Sequence, residues 1–271
     1  MQRLGDPFRS GDAWLRVRDQ GAGAPLVFIH GWTLDLDAWE PQAAAFAESH
    51  RVVRYDRRGF GLSDGMPGRG ADAEDLARVV SELGPGAVTL IGASQGARVA
   101  LAFALGNPER VSALVLDGPP DETGDPPAVG DEDFSVAAYR RLVAEQGVEA
   151  FRRDWAAHPL MRLHAGDSAA RELVARMLGR YPARDLAGPP QEPPPPAGSV
   201  ALARFTKPVL VVNGELDTAL RLRAGEALAR ALPLAERVVI PGAGHLPNLD
   251  APRAYNEALR AFLQRQARAA A

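Results

Sequence analysis

Gly92-Ala93-Ser94-Gln95-Gly96 is the stretch on which the reading of this chain turns. An apolar run, Ala87-Val88-Thr89-Leu90-Ile91, precedes it and is short and continuous enough for a buried strand. Residues 97–105 follow as a run of small and apolar side chains that suits a helix. The order is therefore strand, sharp turn with a serine between glycines, helix. Such a turn holds the serine in a strained backbone position and points its hydroxyl out of the sheet. A Cβ at Gly92 or Gly96 would meet the neighbouring strand or helix. The N–H of Gln95 then lies at a helix N-terminus, where a donor can meet developing negative charge. Serines between glycines also occur in plain strand-to-helix turns, so the pentapeptide does not decide alone.

Working outward, Pro25-Leu26-Val27-Phe28-Ile29 is a continuous apolar run, as expected of a strand buried on both faces. Further strands are expected at 51–55, 111–116, 208–212 and 237–240, and an edge strand at 13–17. Helical patterns fall at 39–49, with Pro41 in the first turn, and at 72–83, 221–231 and 252–268. In the second of these Leu76, Val79, Val80 and Leu83 recur at helical spacing. Strands alternating with helices imply an α/β fold, a mostly parallel sheet with helices on both faces. Between the strands at 111–116 and 208–212 the composition changes. Residues 121–133 are rich in proline, glycine and acid and read as a loop. Helices follow at 135–146, 148–158 and 168–180, and a proline cluster at 189–196 reads as a stiff return linker. Residues 119–205 are thus expected as an inserted helical cap on a core of 1–118 and 206–271.

The 271 residues suit one large α/β domain with such an insertion. Thirty-one basic side chains against 34 acidic ones leave a formal charge of −3, which argues against a nucleic-acid partner. The absence of cysteine excludes disulfide and thiolate chemistry. The first 18 residues are charged and lack the apolar core of a secretory signal, and no apolar stretch reaches membrane-spanning length, so a cytoplasmic protein without a membrane partner is expected. No spacing of His, Asp or Glu suggests a metal site, and no glycine-rich phosphate loop is present. No cofactor is expected.

Four further motifs sit at strand ends. His30-Gly31-Trp32 follows the strand at 25–29, and Asp56-Arg57-Arg58-Gly59-Phe60-Gly61-Leu62-Ser63 follows that at 51–55. Asn213-Gly214-Glu215-Leu216-Asp217 and Gly242-Ala243-Gly244-His245 close the last two strands. A serine hydroxyl is a poor nucleophile at neutral pH and needs an adjacent base. In this order the set resembles the α/β-hydrolase superfamily, over nearly the whole chain outside the cap. The resemblance implies that Ser94 is the nucleophile in the family's elbow, His245 its general acid/base and Asp217 the carboxylate that orients the imidazole, in the chain order known for this fold. It also implies an oxyanion hole from the backbone N–H groups of Trp32 and Gln95. Glu215 and Asp117, which ends an earlier strand, are rival acids. His30 reads as a brace for the oxyanion loop, Asp56 and Arg58 as loop stabilisers, and His50, His158 and His164 as surface or cap residues.

Dehalogenases and epoxide hydrolases of this fold carry aspartate at the elbow, so Ser94 implies acyl chemistry. The expected function is a serine hydrolase cleaving a small carboxylic ester or lactone through an acyl-enzyme. A C–C hydrolase using the same triad is an alternative. A narrower resemblance offers another. Arg98, with Trp155-Ala156-Ala157-His158-Pro159-Leu160, is similar to the menaquinone-pathway synthase, a lyase that eliminates pyruvate with a Ser-His-Asp set. A non-catalytic ligand-binding member of the fold is a third reading, against which all three triad candidates stand. Phe134, Trp155 and Leu246 are candidate pocket residues. Tyr139, Phe151, Leu160 and Met161 join them as apolar cap residues that could instead pack the cap onto the core.

Overall fold

The computed structural model describes residues 3–124, 133–189 and 195–269. A short antiparallel hairpin of β1 (Phe8–Ser10) and β2 (Ala13–Leu15) precedes the main sheet. That sheet is built from β3 (Val17–Gln20), β4 (Pro25–Ile29), β5 (Arg51–Tyr55), β6 (Val88–Ala93), β7 (Val111–Asp117), β8 (Val209–Gly214) and β9 (Ala235–Ile240). Its order is β3-β5-β4-β6-β7-β8-β9, with every pairing parallel except β3 against β5. The helices are α1 (Glu40–Phe46), α2 (Arg69–Glu82) and α3 (Gln95–Gly106), then α4 (Val136–Gln146), α5 (Val148–Ala156), α6 (Ser168–Arg180), α7 (Arg184–Ala187) and α8 (Ser199–Ala203) between β7 and β8. The chain closes with α9 (Ala219–Ala231), α10 (Pro247–Asp250) and α11 (Pro252–Ala269).

The period-2 alternation of a strand sends successive side chains to opposite faces. In β4, Val27 and Ile29 join a core with Val79 and Val80 of α2, Ala100 of α3 and Leu228 of α9. Leu26 and Phe28 join the opposite core with Phe46 of α1 and Tyr255 and Phe262 of α11. Both faces are covered, which is why these strands read as unbroken apolar runs.

The expected edge strand at 13–17 is in fact two strands with different partners, divided at Arg16. There the backbone N–H donates to Ser63 Oγ at 2.9 Å and the carbonyl accepts from Asp56 N at 2.9 Å. The Arg16 guanidinium binds Asp37 at 2.7 Å. With its own backbone committed to the loop after β5, Arg16 ends one ladder and β3 begins another. The helix expected over 39–49 is also shorter. A 3-10 turn at Leu36–Trp39, capped by Asp35 through the Asp37 N–H, leads into α1, which stops at Phe46.

The insertion α4–α8 packs on the sheet's loop edge. Trp155, Met177 and Tyr181 share a buried cluster with Leu34, Phe60, Leu246 and Leu249 of the sheet loops. Arg180 of α6 adds two charge-assisted bonds, to Asp35 at 2.9 Å and to Asp37 at 2.6 Å. Residues 125–132 and 190–194, within the expected loop and proline linker, lie outside the described residues.

His30 directly follows β4 and is fully enclosed. Its Nδ1 lies 2.8 Å from Gly31 O, and its Nε2 accepts the Arg57 N–H at 2.8 Å. Both contacts fit a neutral ring protonated on Nδ1. Burial first, then the Arg57 charge, lowers its pKa to about 3. An unfolded imidazole gains its proton near pH 6.5, so between those values the unfolded chain binds more protons and stability falls as pH drops. His30 should therefore pull the urea midpoint down from pH 7 to 4, against the opposite pull of Asp56 and Asp117, whose carboxyls are held above the usual range. His30→Asn should remove its pull, up to roughly 1.4 kcal/mol per pH unit. Parallel slopes in the two proteins would exclude His30 as the titrating group.

Candidate active site

Ser94 sits between β6 and α3 at φ 50°, ψ −114°, a conformation that a serine adopts only at a cost of about 1–3 kcal/mol. Its neighbours leave no other path. A Cβ on Gly96 would overlap the carbonyls of Ile29 and His30, and one on Gly92 would overlap Gly96 O. The Ser94 N–H is held by Asp117 O at 2.7 Å, and the first turn of α3 closes on Ser94 O through Ala97 N at 3.0 Å. The end of β4 lies against this turn: a Cβ on Gly31 would stand 3.4 Å from the Ser94 Cβ.

Asp217 lies on the turn between β8 and α9, and His245 on the loop after β9. His245 Nδ1 is 3.0 Å from Asp217 Oδ2 and 3.1 Å from Oδ1, and both side chains are almost wholly buried. The Thr218 N–H fixes the carboxylate further, at 2.7 Å from Oδ1. The rival acids are placed otherwise. Glu215 is exposed and accepts the Gly242 N–H at 2.8 Å. Asp117 is buried at the end of β7. Burial, and then the charge of Asp217, push its carboxyl well above the usual range and disfavour the ionised form. Of the three acids, Asp217 is the one bonded to the imidazole.

Ser94 and His245 open on one cavity of about 540 Å³. Trp32 and Gln95 lie on its wall, as do the three pocket candidates Phe134, Trp155 and Leu246. Leu160 and Met161 also line it, whereas Tyr139 and Phe151 stand behind as packing. Trp32 is the hub of this aromatic wall. It stacks on Phe134 at 5.0 Å and meets Trp155 edge-on at 4.8 Å, and its Nε1 donates to Asp185 at 2.6 Å. Trp155 in turn donates to Thr33 Oγ1 at 2.8 Å. His158 stacks on Trp155 at 4.6 Å, His50 contacts Ser49 Oγ at 2.8 Å, and the His164 N–H donates to Asp250 Oδ2 at 3.0 Å.

Several wall residues went unnoticed in the sequence. Arg57 donates to Gln95 Oε1 at 2.7 Å and forms a bidentate pair with Asp72 at 2.5 and 2.8 Å. It thereby steadies the residue after Ser94. Its neighbour Arg58, singled out by the loop motif, instead bonds Asp75, Asp12 and Ser10 O away from the cavity. Nothing in an Arg-Arg dipeptide tells which side chain turns inward. Among the described residues four arginines line the cavity. Arg57 pairs with Asp72, Arg98 with Glu122 and Arg221 with Asp133. Arg140 is held only by carbonyls, Asp185 O at 2.8 Å and Gly188 O, so no carboxylate neutralises it among the described residues. Among those residues no group of three or more acidic or histidine side chains is placed to hold a metal ion, and no helix is long and apolar enough to cross a membrane. A hydroxyl and an imidazole open on one cavity, with a carboxylate bonded to the imidazole from behind, can move a proton on and off a reacting oxygen.

The chain is 27% identical to a pimeloyl-[acyl-carrier protein] methyl ester esterase of Nitrosomonas europaea, over 90% of this chain and 97% of that protein. It is 28% identical to a 2-(acetamidomethylene)succinate hydrolase of Mesorhizobium japonicum, over 92% and 91%. Among solved structures, the malate-bound thermophilic esterase of Thermogutta terrifontis superposes with a TM-score of 0.80 at 28% identity, over 98% of this chain and 99% of that one. With residues 24–252 matching the family model described as the alpha/beta hydrolase fold, the chain belongs to that family.

Proposed function

We propose that this protein is a serine hydrolase that cleaves a small carboxylic ester or lactone through an acyl-enzyme on Ser94. The observation that carries this reading is His245, bonded to Asp217, on the same cavity as the strained Ser94 turn. His245 Nε2 takes the Ser94 Oγ proton as the oxygen attacks the carbonyl carbon, and Asp217 stabilises the imidazolium. The carbonyl oxygen gains the negative charge and is received by the N–H groups of Trp32 and Gln95. The imidazolium then gives the proton to the leaving alcohol as the carbon–oxygen bond breaks. Water, deprotonated by the same imidazole, releases the acid and frees Ser94. Residues 119–205 act as the cap over this cavity.

Arg140 bears on substrate class. A guanidinium seated on neutral carbonyls keeps its charge available, which favours an ester with a carboxylate elsewhere in the molecule. The succinate derivative in the name of one relative, and the malate bound to the Thermogutta esterase, support the same preference.

Hydrolysis of a p-nitrophenyl ester series tests the reaction. Ser94→Ala should lower kcat/KM by roughly 10³-fold or more with the fold intact, and Asp217→Asn by up to about 10⁴-fold, because the amide favours the wrong tautomer. Asp117→Asn should cost far less than Asp217→Asn, and the reverse order would transfer the orienting role to Asp117. No turnover of any ester by folded wild-type protein would sink the esterase reading in favour of the lyase or C–C hydrolase. For substrate class, the comparison is a monoester of a dicarboxylic acid against its neutral analogue. Arg140→Ala should raise KM for the anionic ester about 10-fold or more and leave the neutral one near the wild-type value. Equal effects on both would remove Arg140 from recognition.

A further inference from the structure

Asp250 is the last residue of α10, five positions beyond His245 and outside the cavity wall. Its side chain is almost wholly enclosed, yet it accepts four backbone N–H bonds from two separate parts of the chain. Oδ2 takes Gly244 N at 2.7 Å and His164 N at 3.0 Å. Oδ1 takes Ala165 N and Gly166 N, each at 2.7 Å. Gly244 directly precedes His245, while residues 164–166 join the 3-10 turn at Pro159–Met161 to α6 of the insertion. A tight turn fixes Asp250 itself, with its N–H on Leu246 O at 2.8 Å. One carboxylate thus ties the histidine loop and the insertion to a common point.

The two segments are also in contact without room between them. A Cβ on Gly244 would stand 2.8 Å from His164 Cδ2 and 2.9 Å from Arg162 O. Next to His245 on its other side, Leu246 is buried in the cluster shared with Trp155 and Leu160. A displacement of residues 164–166 therefore cannot be absorbed locally. It draws on the Asp250 carboxylate, and through Oδ2 on the Gly244 N–H, one residue before the imidazole of His245. The loop sequence gives no such role to a lone aspartate between Leu249 and Ala251. The coupling arises from where the insertion seats.

We infer that Asp250 is a positioning residue that keeps His245 in register with Asp217 only while the insertion is seated, so that the base is competent when the cavity is covered. The kinetic part of this inference rests on the proposed esterase reaction, and a spectroscopic part does not. Asp250→Asn keeps the shape but replaces one acceptor oxygen by an amide group that faces N–H donors. In that variant kcat on p-nitrophenyl esters should fall about 10- to 100-fold, as a misplacement of about 1 Å does, while KM stays within about threefold. The His245 Nδ1 proton shared with Asp217, assigned by its loss in His245→Gln, should shift or broaden in the proton NMR spectrum of Asp250→Asn. If no ester is turned over by wild-type protein, the NMR comparison still decides the coupling. A folded Asp250→Asn protein with wild-type kcat and an unchanged His245 proton overturns the inference, as does a rise in KM alone, which would confine Asp250 to shaping the pocket. If Asp250→Asn melts below the assay temperature, Asp250→Glu retains both acceptors on a longer stem. Lower kcat at unchanged KM then supports the coupling, and wild-type kcat with an unchanged His245 proton overturns it.

Discussion

At Ser94 the chain is held at a positive φ by its neighbours on every side, and the remainder of the cavity is arranged around that fact. The start of α3 comes so close to the end of β4 that the Ile29 and His30 carbonyls leave no space for a Cβ on Gly96. The same approach brings the Gly31-Trp32 peptide beside the serine. From the other side, Asp117 O holds the Ser94 N–H at the end of β7. A backbone cost of about 1–3 kcal/mol persists only where its surroundings over-determine it. Here the surroundings are central strands, with β4 and β6 buried along nearly their whole length. The core thus supplies what the turn consumes, and the serine is oriented before any ligand arrives.

Outside the sheet, order in the loops comes from buried carboxylates that accept main-chain N–H groups. Asp56 takes Leu36 N and Leu62 N, each at 2.8 Å, and so joins the loop after β4 to the loop after β5. Burial, and then the nearby Asp35 charge, push its carboxyl upward despite those bonds. Asp217 and Asp117 divide differently. Asp217 has an imidazole and a peptide N–H on its oxygens, whereas Asp117 is enclosed among apolar strands beside another acid. Environment, not residue type, separates an orienting carboxylate from a carboxyl disposed to stay uncharged.

This division explains what could be read from the sequence. The central strands and the turn at Ser94 were legible because each is written locally, as an unbroken apolar run or as glycines at fixed offsets. Asp217 was preferred to its rivals Glu215 and Asp117 only through the family resemblance, since the residues alone do not say which strand end the His245 loop faces. The break at Arg16 was not legible, because its partners Ser63 and Asp56 lie more than 35 residues away and enter through a loop. Arg57 and Arg58 are indistinguishable in sequence, and only the direction in which the backbone leaves β5 sends one to Gln95 and the other to Asp75. Arg140 takes its significance from its seat on carbonyls elsewhere in the insertion, and Asp250 from contacts between the insertion and the histidine loop, neither of which a local pattern encodes.

Trp32 brings these two levels together. Its peptide belongs to the loop beside Ser94, while its ring is wedged among Phe134, Tyr139, Phe151, Trp155 and Tyr181 of the insertion. Offset and edge-on ring pairs add roughly 0.5–1.5 kcal/mol each beyond area burial, so the ring is held firmly from the insertion side. The proposed oxyanion donor is therefore positioned from both ends, by the sheet through Gly31 and by the insertion through the indole. A change of wall residue that keeps this aromatic contact can alter cavity shape while leaving the N–H in place. One that removes it loosens pocket and donor together. On the proposed reading, substrate choice and transition-state stabilisation both depend on this one residue, which limits how far the insertion can be reshaped before the chemistry suffers.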